Sequence, residues 1–158
     1  MISINRSTTI YRPIKQVFDF MSTPENDFQW QYGILESSVL AEGANNIGTF
    51  FQSIGHLMGR RSLSTFEVTE YEPNKKFSFK SLSGPLQSVT CYTFEIARGS
   101  TQVNISIQAN VVNFLQMNEA ILKKTMGKQL KENLAMLKSI LETIQLPPVS
   151  GMASSANN

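Results

Sequence analysis

The sequence predicts an α+β fold, a curved antiparallel sheet of about seven strands around one long C-terminal helix, with two short helices after the first strand. Three observations carry that expectation. Residues 116–144, QMNEAILKKTMGKQLKENLAMLKSILETI, form the longest uninterrupted helical pattern in the chain. Between Gly33 and Val111 six strand-like runs are separated by hairpin-length turns, and strands joined so closely must be antiparallel. An antiparallel sheet with one apolar face needs a cover, and only the last helix is long enough to supply it.

The elements follow in order. Ile2, Ile4 and Ile10 alternate with polar residues, and Thr8 and Thr9 add β-branched stiffness, so residues 2–11 read as a strand. Arg12-Pro13 ends it. Pro13 suits a first helical position, and Ile14, Val17, Phe18 and Met21 follow at helical spacing. Ser22-Thr23 breaks that helix, and Pro24 and Glu25 open another turn leading to Phe28 and Trp30. Strands are then expected over residues 34–40, 47–56, 63–71, 76–82, 88–97 and 101–111. Glu42-Gly43-Ala44-Asn45-Asn46, Met58-Gly59-Arg60, Glu72-Pro73-Asn74-Lys75, Ser83-Gly84-Pro85 and Arg98-Gly99-Ser100 are the turns between them. Phe66 with Val68, Tyr92 with Phe94 and Ile96, and Val103 with Ile105, Ile107, Ala109 and Val111 mark the apolar faces.

On the last helix, Leu122, Met126, Leu130, Leu134, Leu137, Leu141 and Ile144 share one arc, opposite Lys124, Lys128, Lys131 and Lys138. Its length, roughly 43 Å at 1.5 Å per residue, spans a small domain. Asn133 sits near the centre of the apolar arc, Gly127 at its edge, and Glu119 leans to the same side. A helix sealing a dry core would be better served by apolar residues there, so a partly polar cavity beneath it is one reading. The other is that Asn133 bonds a nearby carbonyl while Gly127 relieves a close contact. Leu146-Pro147-Pro148 stops the helix, which bounds one domain at residues 1–145, and residues 146–158 are a small, polar tail expected to be disordered.

A chain of 158 residues with 41% hydrophobic and 16% charged residues fits one soluble globular domain. Fourteen Lys and Arg against twelve Asp and Glu leave a formal net charge of +2. That is too weak to argue for a nucleic-acid partner, and the lysine stripe reads as a solvated helix face. No run approaches a membrane span, and MISINRSTT lacks the apolar core of a signal peptide, so a cytoplasmic location is expected. The single cysteine, Cys91, fits a reducing compartment. Nothing in the sequence sets the oligomeric state, and a homodimer is compatible with it.

Several stretches resemble a known superfamily. RPIKQVFDFMSTPENDFQW after the first strand, EGANNIGTFF, FEVTEYEPNKKFSFKS, SGP with YTFE, and ENLAMLKSILE near the end resemble the START-like, or SRPBCC, helix-grip proteins. That superfamily also holds the birch-pollen-allergen fold, and the likeness is to its polyketide cyclase/dehydrase and lipid-transport type members. It covers residues 2–145, nearly the whole chain. The resemblance implies a deep apolar cavity between the sheet and the last helix, in a superfamily whose members bind lipids, polyketides, hormones or quinone-like molecules. These are packing and turn motifs, so they speak to fold more than to activity, and only some members are enzymes.

Chemistry-bearing patterns are sparse. One His and one Cys cannot supply the usual N and S ligands of a catalytic metal, and no phosphate-cradling, dinucleotide-binding or nucleophile-elbow motif is present, so no metal or cofactor is expected. His56, Arg60 and Arg61 gather in GHLMGRR at one hairpin. A histidine there could exchange protons near neutral pH and an arginine could fork onto a carboxylate or enolate, yet hairpin ends are wet places where both residues are ordinary. Trp30 and Tyr32 fall between the short helices and the second strand, at the cavity mouth the resemblance implies. Phe66, Phe79, Tyr92, Phe94 and Ile105 belong to apolar strand faces and should divide between core and cavity. Tyr92 stands out, since a phenol turned inward needs a partner. Glu36 and Glu119 are expected at the surface.

The candidate ligand-binding set is therefore Trp30, Tyr32, His56, Arg60, Phe66, Phe79, Tyr92, Phe94, Ile105, Met126, Leu130 and Asn133. The leading expectation is enclosure of an apolar small molecule under the last helix. One alternative is a polyketide cyclase or dehydratase in which His56, Tyr92 and an arginine handle protons. Another is a co-chaperone-like interaction module using the lysine stripe. Whether any reaction is catalysed is open.

Overall fold

The computed structural model describes residues 1–57, 59–111 and 118–143. The tail at residues 146–158, Ile144 and the first residues of the expected last helix lie outside them. The chain runs through β1 (Ile2–Ile10), α1 (Ile14–Met21), a 3-10 turn (Pro24–Asn26) leading into α2 (Asp27–Trp30), and β2 (Ile34–Ala41). β3 (Phe50–Leu57), β4 (Arg60–Glu72), β5 (Lys76–Ser83), β6 (Leu86–Ala97) and β7 (Ser100–Val111) follow, and α3 (Glu119–Thr143) closes the order. The strands form one seven-stranded sheet in the order β1-β7-β6-β5-β4-β3-β2. Every neighbouring pair is antiparallel. The fold is the START-like helix-grip arrangement, a curved sheet against one long helix.

Sheet order explains the short helices. β1 and β2 are consecutive in sequence but occupy opposite edges, so residues 11–33 must cross the width of the sheet. α1 does so by burying Val17, Phe18 and Met21. The Phe18 ring meets Phe94 of β6 at 5.1 Å and Tyr71 of β4 at 5.4 Å, both edge to face, a geometry that the ring quadrupole favours. Tyr71 reaches this contact because the β4–β5 register shifts between Val68 and Glu70. A bulge of this kind re-aims the residues that follow it.

α3 lies against β1 and buries Leu122, Leu130, Leu134, Leu137 and Leu141, as its periodicity predicts. Lys124, Lys128 and Lys131 are exposed. Lys138 folds back instead: its ammonium donates to the Glu142 carboxylate at 2.8 Å and sits 4.4 Å over the Tyr11 ring. The Tyr11 backbone N–H also donates to that carboxylate at 2.9 Å, which anchors the end of the helix to the end of β1. Glu119 is exposed and pairs with the Met1 ammonium at 3.0 Å.

Two expected boundaries shift for local reasons. β3 begins at Phe50 rather than at residue 47, because Asn45, Asn46 and Gly48 take left-handed φ values of 53°, 69° and 82° and Ile47 is left exposed. β4 begins at Arg60, so β3 and β4 pair out to Leu57↔Arg60. Ile96 continues the alternation of Tyr92 and Phe94 yet is 71% exposed, since it lies at the end of β6.

Candidate ligand-binding cavity

The concave face is paved with rings. Phe51 stacks on its cross-strand neighbour Phe66 at 5.1 Å, and Phe79 meets these two rings edge-on at 5.3 and 5.4 Å. Tyr92 meets Phe79 at 5.7 Å and Trp30 at 6.1 Å. Rings this large, held on a curved sheet, do not fill the space beneath α3. A cavity of about 220 Å³ remains, walled by strand residues such as Phe51, Phe66, Phe79, Tyr92, Ile105 and Ile107 and roofed by Met126, Leu130 and Asn133 of α3. A second space of about 190 Å³ shares Gln31, Ser53, Leu57, Gln129 and Asn133 with it and extends outward past Gly33, Gly55 and His56. Ser53, Ser62, Ser64 and Ser88 lie along this outer part. Gly55 has a structural task here. A Cβ on it would come within 2.1 Å of the Gly33 carbonyl oxygen, and the neighbouring His56 N–H donates to that same oxygen at 2.8 Å.

The inner end is defined by burial. Trp30, Tyr92 and Asp27 are 2%, 3% and 5% exposed, and all three line the cavity. Asp27 and Trp30 bracket α2, so one short turn brings both to the cavity, with Gln31 next in line. The Gln31 amide donates to the Tyr92 hydroxyl at 3.4 Å. No hydrogen bond from a described residue reaches the Asp27 carboxyl, and the Trp30 indole N–H is buried without a partner among the described residues. Desolvation pushes the Asp27 carboxyl well above the usual carboxylate range, with the nearby Glu25 charge adding to it. Tyr92 is also raised well above an ordinary phenol, first by burial and then by the negative charge of Asp27, while the Gln31 hydrogen bond works in the opposite direction. Both groups therefore favour their neutral, proton-bearing forms.

Asn133 has its own task on α3. Its Oδ1 accepts the Tyr32 backbone N–H at 2.9 Å, which ties the helix to the segment that follows α2. The partner is an N–H rather than the carbonyl anticipated from sequence, and the residue also lines the cavity. Gly127 does not line it. A Cβ there would meet the Arg6 guanidinium of β1 at 2.9 Å, so its smallness serves the helix–β1 contact.

Of the sequence-derived candidates, Trp30, Phe66, Phe79, Tyr92, Ile105, Met126, Leu130 and Asn133 come together around the cavity. Trp30 is deep within it rather than at the mouth. Four others stand elsewhere. The Tyr32 side chain is 86% exposed, and only its backbone N–H serves the site. Phe94 packs under Phe18 in the core. His56 is exposed beside the outer space, and Arg60 is exposed at the β3–β4 hairpin with Arg61. His56, Tyr92 and an arginine thus do not meet in one site. Sequence reasoning passed over Asp27, Gln31, Phe51 and Gln129. Asp27 did leave a signal, since it stands three residues before Trp30, at helical spacing, but an acidic residue in a short first turn also reads as an ordinary cap.

Among the described residues, no group of three His, Cys, Asp or Glu side chains is placed to hold a metal ion. No described helix is long and apolar enough to cross a membrane.

Comparison with known proteins agrees with this geometry. The sequence profile of the family described as polyketide cyclase / dehydrase and lipid transport matches residues 1–142. The chain belongs to that family. No curated protein matches it in sequence. In structure it is similar to a START superfamily protein from Mycobacterium smegmatis, with a TM-score of 0.80 and 14% identity over 92% of this chain and 100% of that one. It is similar to a protein from Thermus thermophilus, with a TM-score of 0.76 and 15% identity over 90% and 99%. It also resembles the di-domain ARO/CYC protein BexL, with a TM-score of 0.73 and 14% identity over 93% of this chain and 48% of that one. At these identities the likeness is one of fold. Family membership supports a hydrophobic ligand-binding or cyclase-type role.

Proposed function

We propose that this protein encloses an apolar small molecule, a lipid, polyketide or similar compound, between the sheet and α3. Residues 1–145 act as one ligand-binding domain in the cytoplasm, without nucleic acid. The observation that carries the reading is the aromatic-walled cavity of about 220 Å³ under α3. A void of that kind in an otherwise close-packed interior forfeits contacts that a ligand would restore. Its few polar groups stand at defined places, as expected of a site that orients what it holds.

Two alternatives are less well supported. A cyclase or dehydratase built on His56, Tyr92 and an arginine lacks the convergence it needs, because His56 and Arg60 stand outside the cavity that Tyr92 lines. A co-chaperone-like surface on the lysine stripe loses Lys138 to its contacts with Glu142 and Tyr11.

Native mass spectrometry of the protein purified from its own source, combined with titration of a hydrophobic fluorophore, tests the binding reading. The expected result is a co-purified apolar compound, or saturable fluorophore uptake that a bulky Leu130→Trp substitution abolishes. A protein with no bound species and no uptake would overturn it.

A further inference from the structure

We propose that Asp27 and Tyr92 form a carbonyl-recognition site at the inner end of the cavity, so that the ligand is an apolar ketone or quinone-type molecule inserted oxygen first. The inference rests on the cavity-binding reading and narrows it to one class of compound.

Donor and acceptor bookkeeping leads there. The Tyr92 oxygen already accepts from Gln31 and donates to no described residue, so its hydroxyl hydrogen is available to the cavity it lines. Asp27 is 95% buried by its 5% exposure, lines the same cavity and takes no hydrogen bond from a described residue. Burial raises its pKa and so favours the acid form, which can donate a hydrogen bond. The Trp30 N–H, one turn from Asp27 in the same wall, is a further donor without a partner. A buried donor left unpaired is costly and uncommon; the Trp30 N–H is one, and with the Tyr92 hydroxyl hydrogen and the Asp27 carboxyl lining the same cavity, an acceptor oxygen would pair them. Asp27 and Tyr92 are the only titratable side chains among the described cavity-lining residues, so no cation is present to hold a carboxylate or phosphate. A neutral acceptor oxygen on an apolar body satisfies both constraints. A hydrocarbon tail alone would leave the donors unpaired.

The test uses the full chain and two probes of the same shape, 2-acetylnaphthalene and 2-isopropenylnaphthalene, which differ in a carbonyl oxygen against a methylene. Calorimetric titration should show the ketone binding about tenfold more tightly, the value of a hydrogen bond made to a buried donor that is otherwise unpaired. Tyr92→Phe should remove most of that preference, by weakening the ketone more than the alkene. Asp27→Asn, which keeps an N–H donor, should retain the preference, and Asp27→Leu should reduce it. Independently of any variant, the carbonyl carbon resonance of the bound ketone should move downfield, as hydrogen bonding to its oxygen requires. Equal affinities for the two probes, or a preference that survives both Tyr92→Phe and Asp27→Leu, would overturn the carbonyl site while the cavity reading stands. A 2-naphthol affinity well above that of the ketone would also overturn it, since the site would then read a hydroxyl. If neither probe nor the fluorophore binds, the cavity reading fails and this inference with it.

Discussion

The inner end of the cavity and the hairpin outside its mouth carry polar groups in opposite circumstances. At the inner end Asp27, Trp30 and Tyr92 are buried against rings. Outside the mouth, His56 beside the outer space and Arg60 and Arg61 beyond it stand in water on the β3–β4 hairpin. The mouth residues are the more reactive types on paper, yet water screens them and hydrates their charges. The inner residues are chemically milder, but removal from water raises the pKa of Asp27 and Tyr92 and leaves the Trp30 N–H without a partner among the described residues. Position, more than residue type, decides which end can discriminate among ligands.

The largest effect that would sharpen this contrast is at Trp30. It is 2% exposed and touches Tyr92, so Trp30→Ala should cost about 3–5 kcal/mol in urea unfolding, the range for deleting a buried aromatic ring. A loss under about 1 kcal/mol would mean that the inner end is loose and solvated, and the contrast with the mouth would collapse.

Next comes the pH dependence set by Asp27. Its folded-state pKa is raised by burial, with Glu25 contributing, so the native state holds a proton that the unfolded chain releases near pH 3.9. Below the unfolded value this contribution to stability is fully present. As pH rises towards the folded value it is lost, at a slope of about 1.4 kcal/mol per pH unit while the proton is retained only in the native state. Asp27→Asn removes the titration, so the variant should gain on the wild type as pH increases across that window. Parallel stability–pH curves for the two proteins would show that Asp27 is hydrated and ordinary.

Much of the architecture was readable because it rests on periodicity. The leucines of α3 and the alternation of Val103, Ile105, Ile107 and Ala109 are statements about faces, and sequence records faces directly. Strand ends were less readable where left-handed turn residues decided them, as at Asn45, Asn46 and Gly48. The rings of the cavity were legible for the same reason as the sheet. Asp27 was not, because its burial comes from a chain crossing between opposite sheet edges, and its one local mark, a helical spacing from Trp30, is shared with an ordinary acidic cap. His56 and Arg60 attracted notice through residue type alone, which carries no information about depth.

Asn133 offers a smaller test, aimed at the roof between the two ends. Asn133→Ala removes the acceptor of the Tyr32 N–H, so stability should fall by about 1 kcal/mol. Amide hydrogen exchange at Tyr32 should accelerate in step. Unchanged exchange there would show that α3 is held by its apolar arc alone. Gly127→Ala should act in the opposite direction. The new Cβ meets only the tip of an exposed arginine, which can move, and the helix gains up to about 1 kcal/mol of propensity. Fluorophore affinity should be unchanged, since Gly127 faces β1 and not the cavity; a clear loss of affinity would place it in the site.

The smallest effect is expected at the mouth. His56→Ala removes an exposed imidazole from a strand whose backbone bond to Gly33 does not depend on the side chain. Stability should stay within about 0.5 kcal/mol, the usual range for surface substitutions. The preference for ketone over alkene should also persist, because the Tyr92 hydroxyl and the Asp27 carboxyl are untouched. A mouth that took part in recognition would instead lose probe affinity, or the ketone preference, in His56→Ala. Unchanged affinity and an unchanged preference in the variant assign recognition to the inner end. A clear loss of either would reverse the contrast, making His56 the group that reads the ligand and Asp27 a buried structural acid.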